Sequence, residues 1–177
     1  MPYDIALGPA AGTNYALERL RAQDRPMSDW SPDAEIASGL HLALDPNAVF
    51  EGRIGSPRGR LLQIEGEIRQ SARWFGLHVP LDAHDLSERA ILGFAARLGA
   101  RQARPIRACL RSGRSEAFSD CFFDKPLLPD ADRGLHLDVL DLARHDIPEE
   151  APWRELVLFL PTRTLHLSLH DLRVFIV

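Results

Sequence analysis

This chain of 177 residues has few of the groups that crosslink a protein, anchor it in lipid or fit it to a polyanion. It has two cysteines, Cys109 and Cys121, at no metal-type spacing. Free thiols are expected, although a hairpin turning near Ser115 would set the two opposite each other and leave a bridge open. Lys125 is its single lysine, and 21 basic residues stand against 25 acidic ones. A formal charge of −4 argues against nucleic acid or an anionic membrane as the main partner. No apolar run approaches the ~20 residues of a membrane span. Residues 1–30 carry no apolar signal core, so the expected location is cytoplasmic.

The usual catalytic patterns are missing as well. There is no Gly-x-Ser-x-Gly elbow and no phosphate-cradling glycine loop. Seven histidines are present, but none form a His-x-His pair. On a strand, His166 and His170 would share a face about 13 Å apart. Zinc–nitrogen bonds are about 2 Å, so those two cannot hold one zinc without a bend. His136 and Asp138 share a face without further partners, and metal catalysis is not expected. Glu65 and Glu67 would lie about 7 Å apart on one strand face, a spacing that glycoside cleavage allows. Alternating acids on a solvated strand look the same, and that is the reading adopted.

What the chain does have is alternation. In residues 165–170, Leu165, Leu167 and Leu169 fall on one side and His166, Ser168 and His170 on the other, the period of a half-buried strand. The run LVLFL has no polar residue and reads as a strand covered on both faces. The odd-numbered apolar set ends at Leu169 and an even-numbered one runs from Leu172 to Ile176. A β-bulge or a sharp turn at His170–Asp171 must absorb the extra residue. From Ile36 onward, similar short runs recur between clusters rich in Gly, Pro, Asp and Ser. Eight or so runs in ~140 residues leave little room for crossover helices and predict an antiparallel β-sandwich or jelly roll.

Two segments are read differently. SERAILGFAARLG carries helical spacing with Ser87 as cap and Gly99 as stop, yet Leu92, Phe94, Ala96 and Leu98 also alternate as in a strand. Residues 1–35 read as an N-terminal extension. Thr13 would cap a short helix that packs through Tyr15, Leu17 and Leu20.

Several stretches together resemble the jelly-roll sandwiches of carbohydrate-binding modules, the galactose-binding-like architecture. These are NAVFEGRIGSPRGRLLQIEG, AILGFAARLGARQARPIRACLRSG, WRELVLFLP and HDLRVFIV. The resemblance covers roughly residues 36–177 and favours strand for AILGFAARL. It implies an all-β jelly roll whose function is non-catalytic glycan recognition on one sheet face. It also implies a structural calcium near the chain ends, at Glu51 and Asp171, with carbonyl oxygens completing the shell.

Sugar binding needs aromatic faces and fixed polar groups. On RWFGLHV, Trp74 and His78 share a face opposite Phe75, Leu77 and Val79. Arg107 and Arg111 leave the core together, with Asp120 close in sequence. Those five residues, Trp74, His78, Arg107, Arg111 and Asp120, form the expected ligand-binding set. Trp153 reads as a packing residue and Trp30 as an anchor for its loop. The partner is then a glycan or, alternatively, another protein for which the sandwich is an assembly platform. A glycan outside the cell would further imply carriage on an exported, phage-like particle.

Overall fold

A computed structural model describes residues 8–32, 36–37, 39–114, 117–131 and 133–177. One helix, α1 (Ala11–Ala22), precedes the strands β1 (Arg25–Asp29), β2 (His41–Leu44), β3 (Phe50–Ser56), β4 (Leu62–Ile68), β5 (Phe75–Leu81) and β6 (Ile91–Ala100). Then follow β7 (Arg107–Gly113), β8 (Phe118–Phe122), β9 (Gly134–Asp141), β10 (Arg154–Phe159) and β11 (Leu165–Ile176). They form a six-stranded sheet, β1-β3-β4-β11-β6-β9, and a five-stranded sheet, β2-β5-β10-β7-β8. All these strand pairings are antiparallel.

The period of two places the core. Leu92, Phe94, Ala96 and Leu98 of β6 and Leu165, Leu167 and Leu169 of β11 are buried between the sheets. Phe75, Leu77 and Val79 of β5, Ala108 and Leu110 of β7, and Leu156 and Leu158 of β10 join the same core from the other sheet. In β10 the outward Val157 is also fully buried, but Glu155 and Phe159 on the same face are only half-buried, so the strand read as covered on both faces is open on its outer one.

The segment with two periodicities is the strand β6. It lies between β11 and β9 and pairs with both along its length. Backbone pairing on two sides, with one face delivered to the core, overrides the local helical spacing. In β11 the register shifts between Leu169 and Asp171, and Leu169 and His170 are both buried there. That bulge lets Leu172, Val174 and Ile176 return to the core face after Leu169.

The stretch read as an N-terminal extension contributes to the sandwich itself. The strand β1 pairs with β3 as an edge of the six-stranded sheet. Helix α1 starts at Ala11 without a side-chain cap, so Thr13 lies inside it. The Thr13 hydroxyl instead donates to the Pro80 carbonyl at 2.9 Å. Residues 13, 17 and 20 share one helix face and are buried, whereas Tyr15 falls on the opposite side and is exposed. The amide of Asn14 bonds both backbone groups of Val174, at 2.7 and 3.0 Å. It thereby satisfies the Val174 backbone, in the half of β11 that lies beyond its pairing with β4.

The β7–β8 hairpin sets Cys109 opposite Phe122 and Leu110 opposite Cys121, one residue off the register that would align the cysteines. The two side chains leave opposite faces of the sheet and both thiols are free. The edge strand β9 reverses the usual polarity. Leu135, Leu137 and Val139 are exposed, while His136, Asp138 and Leu140 point inward. Buried Asp138 accepts the Lys125 backbone N–H at 2.8 Å, and His136 packs on Phe94. Burial holds the His136 imidazolium below its ordinary pKa.

Candidate functional site

The outer face of the five-stranded sheet is assembled in rows by strand register. One row runs Pro80, Glu155, Arg111, Asp120 across β5, β10, β7 and β8. The next runs His41, His78, Val157, Cys109, Phe122. Beyond it lie Ala43, Gly76, Phe159 and Arg107. Cross-strand neighbours stand about 5 Å apart, so adjacent side chains in a row are within reach of each other, with a gap at Gly76.

Arg111 and Asp120 meet as a bidentate pair, Nε to Oδ1 at 2.7 Å and Nη2 to Oδ2 at 2.8 Å. The same guanidinium lies 3.9 Å from the centre of the Phe118 ring, and that of Arg107 lies 4.0 Å from the centre of the Phe122 ring. Such contacts hold a flexible cation flat on an apolar surface. Phe122 and Phe159 are near-parallel at 5.8 Å, over the floor formed by Val157 and Cys109. Burial, followed by the charge of Asp120, pushes the Cys109 thiol up to about 12. That cysteine is therefore an inert part of the floor.

His78 is only 7% exposed. Its Nδ1 lies 2.8 Å from Oε2 of Glu155, and its ring stacks on His41 with centres 4.8 Å apart and planes at 15°. Burial is the largest single influence on the Glu155 carboxyl and raises its pKa. The His78 hydrogen bond and the charges of His78, His41 and Arg111 outweigh it, so the carboxyl sits below its ordinary value. Glu155 is thus an ionised acceptor at neutral pH.

At one end of the face, Trp153 leans over Gly113. A Cβ at that glycine would fall 2.4 Å from the indole, so only glycine lets the ring lie flat there. Trp153 is 40% exposed and Phe118 is 53% exposed, and the two flank Gly113 from either side. They make an aromatic shelf beside the Glu155–Arg111–Asp120 row. Buried Arg154 fixes the strand beneath it, donating to the carbonyls of Ala83, Pro148 and Glu149 and to the Ser112 hydroxyl at 2.6–2.8 Å.

Of the five residues expected to bind ligand, His78, Arg107, Arg111 and Asp120 therefore share this face. Trp74 lies just before β5 on the same side, half-buried, beyond Gly76. Its carbonyl accepts the Asp45 N–H at 3.1 Å. Asp45 is anchored in turn by the Arg73 side chain and by the N–H groups of Asn47 and Arg73, which hold its carboxyl well below the usual carboxylate range. Trp74 is about 26 Å along the strands from the Trp153 row, so the two tryptophans serve opposite ends of the face. Sequence reasoning missed Trp153, Phe118, His41 and Glu155. Trp153 and Glu155 alternate against the core positions Leu156 and Leu158, which was the available signal.

Glu51 and Asp171 do not come together. Glu51 is on β3 opposite Glu67, at the far end of the six-stranded sheet from the β11 bulge, which is more than about 20 Å away along the strands. Glu51 pairs with Arg69 at 2.7 Å, and Asp171 faces Arg21 and Arg173 at 3.3 and 3.4 Å. Two carboxylates so separated, each against arginine, do not fit the oxygen shell of one calcium ion. Glu65 and Glu67 lie on the outer side of that sheet, Glu65 accepting from Gln63 and Glu67 pairing with Arg69.

No family model and no curated protein match this chain. Solved structures do. The xylan-binding domain CBM22-1 from Paenibacillus barcinonensis Xyn10C superposes with a TM-score of 0.51 at 8% identity, over 77% of this chain and 85% of that one. The family 11 carbohydrate-binding module from Clostridium thermocellum gives 0.49 at 11% identity, over 85% and 95%. At such identities the likeness is one of fold, and the fold is the jelly-roll β-sandwich of carbohydrate-binding modules.

Proposed function

We propose that the chain is a non-catalytic carbohydrate-binding module that takes a glycan on the outer face of its five-stranded sheet. The observation that carries this reading is the exposed Trp153–Phe118 shelf beside the fixed row Glu155, Arg111 and Asp120. Aromatic faces cover the C–H surfaces of a sugar ring, and pre-paired donors and acceptors take its hydroxyls without a cost of ordering long side chains. His78 and Arg107 extend the polar surface, and Trp74 offers a second aromatic contact at the far end. The xylan-binding domain of the same fold lends support for a polysaccharide ligand.

The test is a glycan array followed by calorimetric titration of the best ligand. Trp153→Ala and Phe118→Ala should each weaken binding by at least about tenfold, with unfolding midpoints close to the parent because both rings are largely solvent-facing. Lack of any glycan ligand, or affinity unchanged in both variants, sinks the proposal.

A second reading, docking to another protein, is supported by the outward row Leu135, Leu137 and Val139 on the edge strand β9. Exposed apolar side chains in line on a sheet edge are a surface that proteins ordinarily cover.

A further inference from the structure

His41, His78 and Glu155 come from three adjacent strands, β2, β5 and β10, and their ligand atoms all lie within 4.8 Å of one another. Among the described residues no second group of three His, Cys, Asp or Glu side chains is so close. The geometry points to a binding site for a divalent transition-metal ion of the zinc class, held by two imidazole nitrogens and one carboxylate oxygen on the outer face of the five-stranded sheet. This inference does not rest on the glycan reading.

The donor set selects the ion. Two imidazoles and one carboxylate suit zinc and its transition-metal neighbours, whereas calcium needs six to eight oxygens. Three protein ligands would leave at least one coordination position open. Bonds of about 2.0–2.2 Å would set the ligand atoms roughly 3.4 Å apart around a tetrahedron. His78 Nδ1 and Glu155 Oε2 are already 2.8 Å apart. An ion enters between them by taking the place of the proton on Nδ1, and the ring keeps a proton on Nε2.

His41 supplies the third ligand by a side-chain turn. A ligating lone pair lies in its ring plane, so two rings stacked at 15° cannot both address one ion. His41 is half-buried on the edge strand and can leave the stack with the backbone fixed. In the stacked position its Nδ1 lies 3.0 Å from the Gly39 carbonyl; the turn exchanges that contact for the ion. The surrounding charge permits a cation. Glu155 is anionic, and the nearby Arg111 is balanced by its bidentate partner Asp120.

Zinc itself, with cobalt(II) as its spectroscopic substitute, is the probe, titrated into the full chain after chelator treatment. One zinc per chain is expected. Glu155→Gln and His41→Ala should each weaken it by at least about tenfold, while His166→Ala on the other sheet should leave it unchanged. Glu155→Gln is isosteric and keeps an acceptor toward His78, so its circular dichroism should match the parent. On the unmutated chain, cobalt(II) should broaden the imidazole resonances of His41 and His78 before those of other histidines, a readout that needs no variant to fold. No zinc uptake, uptake unaffected by both site variants, or broadening centred on other histidines would overturn the assignment.

Discussion

Arg154 is the one charged side chain on the inward face of β10, between the shelf residue Trp153 and the core residue Leu156. It is 1% exposed, and among the described residues it has no carboxylate in salt-bridge reach and donates to three carbonyls and one hydroxyl. Burial lowers its pKa, but an arginine has room to fall and stays charged. Arg154→Met would fill much of the volume while stranding those acceptors in the interior. The expected loss is roughly 3–5 kcal/mol, read from urea midpoints, and Arg154→Lys should recover little because an ammonium cannot span the same acceptors. A change below about 1 kcal/mol would show that the network is ornamental. At this scale the sequence is half legible. Alternation alone puts His78, Arg107 and Arg111 outside the core, since they fall out of phase with Leu77 and Val79, with Ile106 and Ala108, and with Leu110. It could not pair His78 with Glu155 or stack it on His41, because those contacts span 77 and 37 positions and arise from strand order. Trp153 was undervalued because the apolar run after it suggested packing on both sides.

Among the elements, β9 shows most plainly where periodicity misleads. GLHLDVLD alternates as well as any strand here, and hydrophobicity alone would turn Leu135, Leu137 and Val139 inward. Register with β6 decides otherwise, setting Asp138 beside Phe94 and Leu140 beside Leu92 on the core side. Asp138 is satisfied there by the Lys125 N–H, which makes the inversion tolerable. Leu137→Glu should therefore change stability by no more than about 0.5 kcal/mol, as for an ordinary surface site. Its effect should appear instead in association. If β9 docks a partner, sedimentation or pull-down should show that contact weakened by the new charge. A loss of several kcal/mol in the melt would mean that β9 faces the other way. The bulge in β11 is the opposite case. The switch from odd to even apolar positions at His170–Asp171 has one structural solution in a continuous strand, and that solution is present.

For the molecule as a whole, strand content and the sandwich were legible from spacing and turn chemistry, whereas strand order was not. Nothing in local pattern says that β11 lies between β4 and β6, or that β10 divides β5 from β7. Those neighbours are distant in sequence, and their choice is settled by which apolar faces close one core. The central place of β11 has a consequence for stability. Its last half, Leu172 to Ile176, buries three apolar side chains, pairs with β6, and takes both hydrogen bonds of Asn14. Each such side chain contributes roughly 1.5–3 kcal/mol, so the three account for about 5–9 kcal/mol. A domain's whole margin is about 5–15 kcal/mol. A chain shortened to end at Asp171 should then lose its cooperative thermal transition, exposing Leu92, Phe94 and Ala96 on β6 and freeing α1 from its anchor. A melt with a sharp transition within a few degrees of the parent would show that β6 and β9 hold that half of the sheet without β11.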